Sequence, residues 1–147
     1  MSEIVFQGTS AIALDGKGRI TVPVRQRDLL MQACEGRLTL TKHPDGYLWV
    51  MPRQRWEATR EHLMGMSMDA DPWRRVFLGS AVDVEIDSAA RVLVPPELRM
   101  AAGLQKDVLL IGNGRVLELW DAARHAAHEA KLLAQPMPAE IRGFVLR

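Results

Sequence analysis

The chain of 147 residues has one cysteine, Cys34. A lone thiol excludes an intrachain disulfide and a thiolate zinc site, and it suits a reducing compartment. No segment approaches the roughly 20 consecutive apolar residues that a membrane-crossing helix needs. Met1-Ser2-Glu3-Ile4 lacks the basic leader and apolar stretch of a secretory signal, so the expectation is a cytoplasmic protein. An excess of charge is missing too: 19 Lys and Arg face 18 Asp and Glu, for a net charge of +1. That rules out the gross basicity of a histone-like protein and leaves nucleic acid neither required nor forbidden. Catalytic signatures are also absent. There is no Gly-x-Ser-x-Gly elbow, no Gly-x-x-x-x-Gly-Lys-Ser/Thr loop and no Gly-x-Gly-x-x-Gly after a strand. The chain is therefore not expected to be an enzyme.

What is present is a duplication. Asp15-Gly16-Lys17-Gly18-Arg19-Ile20-Thr21-Val22-Pro23 returns 72 positions later as Asp87-Ser88-Ala89-Ala90-Arg91-Val92-Leu93-Val94-Pro95, and Arg27 has its counterpart in Arg99. Phe6-Gln7-Gly8 precedes the first motif much as Phe77-Leu78-Gly79 precedes the second, with one residue of slippage. A surface made by this motif is therefore made twice in one chain. Each half, near 70 residues, is marginal as a separate domain, so the halves are expected to share one core.

Within each copy the pattern reads hairpin, helix, hairpin, helix. Residues 10–14 and 19–22 read as strands joined by the turn Asp15 to Gly18, giving a hairpin with a basic tip. Pro23 starts a helix over 24–33 that ends at Glu35-Gly36. Leu38 and Leu40 alternate with polar residues, Asp45-Gly46 turns the chain, and Tyr47 to Met51 returns as a strand. A helix follows from Pro52 to Met64, with Trp56 and Leu63 on one face. The second copy repeats this with strands near 82–86, 91–94, 107–111 and 115–119, a short helix from Pro96 and a last helix capped by Asp121. The offset of Gly46 to Gly114 is 68, so the first copy is expected to carry about four extra residues between its helix and second hairpin. Gly65 to Asp71 connects the copies, with a linking helix over 72–78. Ile141, Phe144, Val145 and Leu146 in the tail suggest docking on something, a partner chain included, rather than free disorder.

Lys17, Arg19, Arg25 and Arg27 fall within 11 residues and make a local basic patch. From these residues alone, the commoner reading is a solvated hairpin in which Asp15 and Asp87 accept from turn amides or pair with Arg19 and Arg91. Arg25 and Arg27 are more often solvated helix charges than phosphate contacts. Asp121, His125, His128 and Glu129 put metal-binding groups near one another, but His-x-x-His-Glu is not the His-Glu-x-x-His zinc pattern, and no metal site is expected.

The tandem Asp-x-x-x-Arg motifs, each followed by Val-Pro and a short helix, with Thr39-Leu40-Thr41-Lys42-His43-Pro44-Asp45-Gly46-Tyr47-Leu48 between, resemble the bacterial MraZ proteins, part of the AbrB-like group of swapped-hairpin DNA-binding domains. The resemblance covers about residues 4–134. It implies an α+β fold, two tandem β-hairpin-helix repeats packed as a pseudo-twofold β-barrel-like domain. The repeats would span 4–64 and 77–134, with a connection at 65–76 and a tail at 135–147. It also implies a transcriptional regulator, read as a repressor, of the cell division and cell wall gene cluster. Such a protein binds tandem short promoter repeats in double-stranded DNA as a homo-oligomeric ring at the nucleoid, with no cofactor, metal, membrane or small-molecule substrate. Carried over by position, the DNA-binding residues are Lys17, Arg19 and Arg91, with Arg25 and Arg27 added at the phosphates and Asp15 and Asp87 as structural members of the motif. Ala89 faces Lys17 across the repeat, which makes equal contact by the two copies doubtful. Gln26 stands where this family leads one to expect a bulky apolar side chain. AbrB-like antitoxins suggest the alternative, a module that binds another protein.

Overall fold

The computed structural model describes residues 4–146. Met1 to Glu3, read above for a leader, and Arg147, the end of the tail, lie outside the described residues. The first repeat runs β1 (Thr9–Ala13), β2 (Arg19–Thr21), α1 (Val24–Cys34), β3 (Arg37–Lys42), β4 (Leu48–Pro52) and α2 (Arg53–Met64). A 3-10 turn, Met68–Ala70, leads into α3 (Asp71–Ser80). The second repeat runs β5 (Val82–Glu85), β6 (Arg91–Leu93), α4 (Pro96–Ala101), β7 (Asp107–Asn113), β8 (Val116–Asp121) and α5 (Ala122–Leu133), and α6 (Ala139–Val145) follows.

Local chemistry sets these boundaries. Pro23, Pro52 and Pro95 occupy the caps before α1, α2 and α4 with φ of −57°, −53° and −58°, the value their rings impose and a helix can follow. Helix α1 closes with Glu35 in the left-handed region at φ 56°, its N–H donating to the Met31 carbonyl at 3.0 Å. Asp121 caps α5 by accepting from the Arg124 N–H at 3.1 Å.

The strands do not pair as simple hairpins. β1 lies antiparallel to β7, and β2 lies antiparallel to β6, so the two arms around Asp15 to Gly18 diverge after the single bridge Leu14 to Ile20. Likewise β5 pairs with β3 of the first repeat. The result is a six-stranded sheet, β1-β7-β8-β4-β3-β5, and a two-stranded ribbon, β2-β6. The sheet keeps two edges, β1 and β5, and does not close into a barrel. The strands that could close it, β2 and β6, are three residues long and spend their ladder on each other.

Register exposes the internal symmetry. In the ribbon, Ile20 faces Val92, a residue and its own repeat counterpart 72 positions on. In the sheet, Trp49 faces Glu118, flanked by Leu48 opposite Leu119 and Val50 opposite Leu117. A pseudo-twofold axis thus passes through both pairs. Leu38 and Val108 occupy corresponding places opposite Pro52 and Asp121. By that register, two of the extra residues of the first copy lie between Pro23 and Leu38 and one lies in the turn between β3 and β4, three where four were expected. The likeness of the segments ahead of the motifs is not structural. Phe6 sits in the main core and bridges to Gly114, whereas Phe77 lies in α3 and stacks on Trp49.

One cluster joins the halves. Leu38, Leu40, Leu48 and Val50 of the first repeat pack with Val108, Leu110, Leu117 and Leu119 of the second, and Ile20, Val22, Val92 and Val94 of the ribbon complete it. The other face of the sheet is covered on the first-repeat side by Trp56 and Leu63 of α2, with Trp49, Met51 and Phe77. In the tail, Ile141, Phe144, Val145 and Leu146 are all exposed and dock on nothing within the described residues, which leaves a partner chain as the surface they would need.

Candidate nucleic-acid interface

The doubled motif builds the same turn twice. Asp15 Oδ1 accepts from the Lys17 and Arg19 backbone N–H groups, both at 2.9 Å, and Oδ2 accepts from Arg19 Nε at 2.9 Å. Asp87 repeats this with Ala89 N–H at 2.8 Å, Arg91 N–H at 2.9 Å and Arg91 Nε at 3.2 Å. The spacing is forced: a carboxylate two and four residues upstream of its donors folds the chain into one tight loop. Gly18 and Ala90 complete the loops in the left-handed region, at φ 83° and 63°.

These hydrogen bonds stabilise the ionised acids. The Arg19 amide, helped by its side chain and the Lys17 amide, holds the Asp15 carboxyl below its ordinary range against an opposing desolvation second in size only to the Arg19 amide. The Arg91 amide leads the same effect at Asp87. The solvated Asp–Arg reading is thus present in the structure, and it has a consequence for binding. With Nε tied to the carboxylate, the guanidinium plane is fixed and its Nη edge has no other partner among the described residues.

Each turn is fastened by the opposite repeat. Val94 N–H donates to Gly18 O and Val22 N–H donates to Ala90 O, both at 2.8 Å. The sequence suggested two basic ribbons, whereas the structure merges them into one, with a strand from each repeat and a turn at either end. Ile20 and Val92 point into the core, so alternation along a strand puts Arg19, Thr21, Arg91 and Leu93 on the opposite, outward face. Arg19 and Arg91 are diagonal neighbours there, about 7–8 Å apart at Cα. Lys17 is exposed at the tip of the first turn.

The remaining candidates lie further out. Arg25 is exposed in the first turn of α1, and Arg27 pairs with Asp28 at 3.4 Å. His125 and His128 pack against Trp120, with centroids 5.2 and 5.0 Å away, and among the described residues no group of three or more metal-binding side chains comes together. The sequence reading did not place Arg99 at the site. It comes from α4 of the second repeat and lies over Gly18 of the first, and only the exchange of strands could reveal that neighbourhood.

Residues 5–76 and 77–142 each match the family described as "MraZ protein, putative antitoxin-like". The chain belongs to the MraZ family. Each match contains one Asp-x-x-x-Arg turn, so the tandem MraZ units correspond to the two strands of the outward ribbon. Relatives named transcriptional regulator MraZ extend over nearly the whole chain. The protein of Leptothrix cholodnii is 57% identical, covering 98% of this chain and 99% of its own length. That of Methylibium petroleiphilum is 56% identical with the same coverage, and that of Burkholderia mallei is 54% identical over 95% of this chain.

Proposed function

We propose that this chain is a sequence-specific DNA-binding transcriptional regulator, a repressor of the cell division and cell wall gene cluster, which engages tandem short promoter repeats as a ring of identical subunits at the nucleoid. The observation that carries this reading is the β2-β6 ribbon, whose outward face presents Arg19 and Arg91 with their guanidinium planes already oriented. Relatives named as transcriptional regulators support the regulatory half of it.

A two-stranded ribbon fits the major groove, about 12 Å wide, where an arginine donates two parallel bonds to guanine O6 and N7. Fixing the plane in advance removes entropy that would otherwise be lost on binding. Lys17, a point charge at the tip, reaches a base edge or a phosphate, and Arg25 and Arg27 add phosphate contacts from α1. One bidentate contact discriminates by about 1–3 kcal/mol, too little to select a promoter among a genome of competing sites. Several copies on tandem boxes raise the effective concentration, and avidity then exceeds single-site affinity by about 10²–10⁴.

The test uses purified protein, a duplex from upstream of its own coding sequence and a duplex with scrambled repeats. Lys17→Ala with Arg19→Ala should abolish preference for the intact repeats while molar mass in solution stays unchanged. Retained preference in that folded double variant refutes the assignment. A second reading, an antitoxin-like partner of another protein, draws on the exposed apolar residues of the tail. Recovery of one stoichiometric protein partner, together with no DNA preference, would favour it.

A further inference from the structure

The two turns match in backbone and differ in the arginine that lies on them. Arg99 rests against Gly18 so closely that a Cβ on that glycine would stand 2.6 Å from Arg99 Cζ and 2.8 Å from Nε and Nη1. The pseudo-twofold mate of this contact would be Arg27 over Ala90, and the residues there differ. Ala90 carries the methyl group that Gly18 lacks, and Arg27 leans to Asp28 at 3.4 Å. Arg99 has no acidic partner among the described residues, and its Nε is buried without an acceptor. The charge inventories therefore diverge. The first turn gathers Lys17, Arg19 and Arg99, whereas the second has Arg91, with Ala89 where Lys17 would stand.

We propose that Arg99 is a third DNA-contacting cation of the first turn, supplied across the pseudo-twofold axis by the other repeat, and that it makes this turn the dominant phosphate-binding end of the ribbon. The proposal rests on the DNA-binding reading above and names a residue that reading lacked. A guanidinium is suited to this placement because it is planar and weakly hydrated. One face can lie on a glycine backbone while its edge donates to a phosphate oxygen. Gly18 thus has two duties, the left-handed φ of the turn and the flat seat for Arg99. The arrangement also separates two kinds of contact, with base reading at Arg19 and backbone anchoring at Arg99.

Fluorescence anisotropy of the full chain on the intact and scrambled upstream duplexes, from 50 to 200 mM salt, tests this. Arg99→Met should weaken binding to both duplexes by the same factor and flatten the logarithmic salt slope by about 0.9, the signature of one lost phosphate contact. Arg27→Met should flatten it less, because the neighbouring Asp28 offsets part of the charge Arg27 brings to a phosphate. Arg99→Gln keeps a polar stem and should show the same loss if the methionine variant fails to melt like the wild type. A folded Arg99 variant with wild-type slope, including one that binds more weakly at every salt concentration, overturns the role of Arg99. If Lys17→Ala with Arg19→Ala still loses binding, the ribbon reading survives that failure. A wild-type chain that binds neither duplex sinks the ribbon reading itself.

Discussion

Gln26 shows how an internal repeat can judge a single residue. It is 4% exposed, and its Oε1 has no hydrogen-bond donor among the described residues, while its counterpart 72 positions on is Leu98, 2% exposed in the main core. A buried carbonyl without a donor forfeits the hydrogen bond it had with water, at a cost of about 1–3 kcal/mol. Gln26→Leu should therefore stabilise the chain by about that amount, read as a higher urea midpoint with unchanged m-value. A lower midpoint would show that the amide has a partner the structure does not assign. The sequence flagged Gln26 as out of place in its helix. Its lack of a hydrogen-bond donor was beyond reach of the sequence, because that depends on what packs over α1.

At the scale of elements, the turns and the β3–β4 connection respond to acid in different windows. His43 Nδ1 accepts from the Asp45 N–H at 3.1 Å and the ring stacks on Tyr47 at 4.2 Å, which requires the neutral imidazole with its proton on Nε2. Burial lowers its pKa below the usual 6.5, with Asp45 and Glu118 opposing. The unfolded chain thus takes up this proton first, so the contribution of His43 is complete above pH 6.5 and declines as pH falls below it. Asp15 and Asp87 titrate below 3.8, so their contribution is complete above that value and is lost only at more acid pH. The expected profile is a decline in stability beginning below pH 6.5 and a second decline below pH 3.8. His43→Phe should remove the first alone, as followed by thermal unfolding across pH. A first decline that persists in that variant would assign it to another group. Both turns were legible in the sequence, since Asp-x-x-x-Arg is a local pattern, although only Gly18 announced its left-handed position and Ala90 did not. The His43–Tyr47 stack is equally local, four residues apart in one turn, whereas its packing beside Phe77 and Trp120 depends on how the sheet is assembled.

For the molecule as a whole, the exchange of strands makes the halves interdependent. β1 depends on β7 for its ladder, β2 depends on β6 apart from the single Leu14–Ile20 bridge, and β5 depends on β3. A fragment of residues 1–76 would leave β1 and β2 without partners, and the Leu38, Leu40, Leu48 and Val50 face without Leu117 and Leu119. It should show no cooperative unfolding as a monomer and fold only in a concentration-dependent dimer, in which a second copy supplies the missing strands. Circular dichroism with sedimentation checks this, and a folded monomeric fragment would contradict the shared core. Chain length and duplication already indicated that the halves lean on each other. They did not indicate which strands cross.

The sequence by itself determined the repeat, the order and approximate bounds of the elements as far as α5, the Asp-centred turns and the place of Lys17 at a tip, because each of these follows from residues within a few positions of one another, whereas helix α6 in the tail was not read from it. Only the tertiary structure decided that both motifs share one ribbon, that the sheet stays open, that the tail is exposed and that Arg99 lies over Gly18. The shared ribbon and the seat of Arg99 rest on neighbours some 70 to 100 positions apart, as does the placing of β1 at the sheet edge. Alternation tells which face a strand buries, and it is silent on which neighbour supplies the hydrogen bonds.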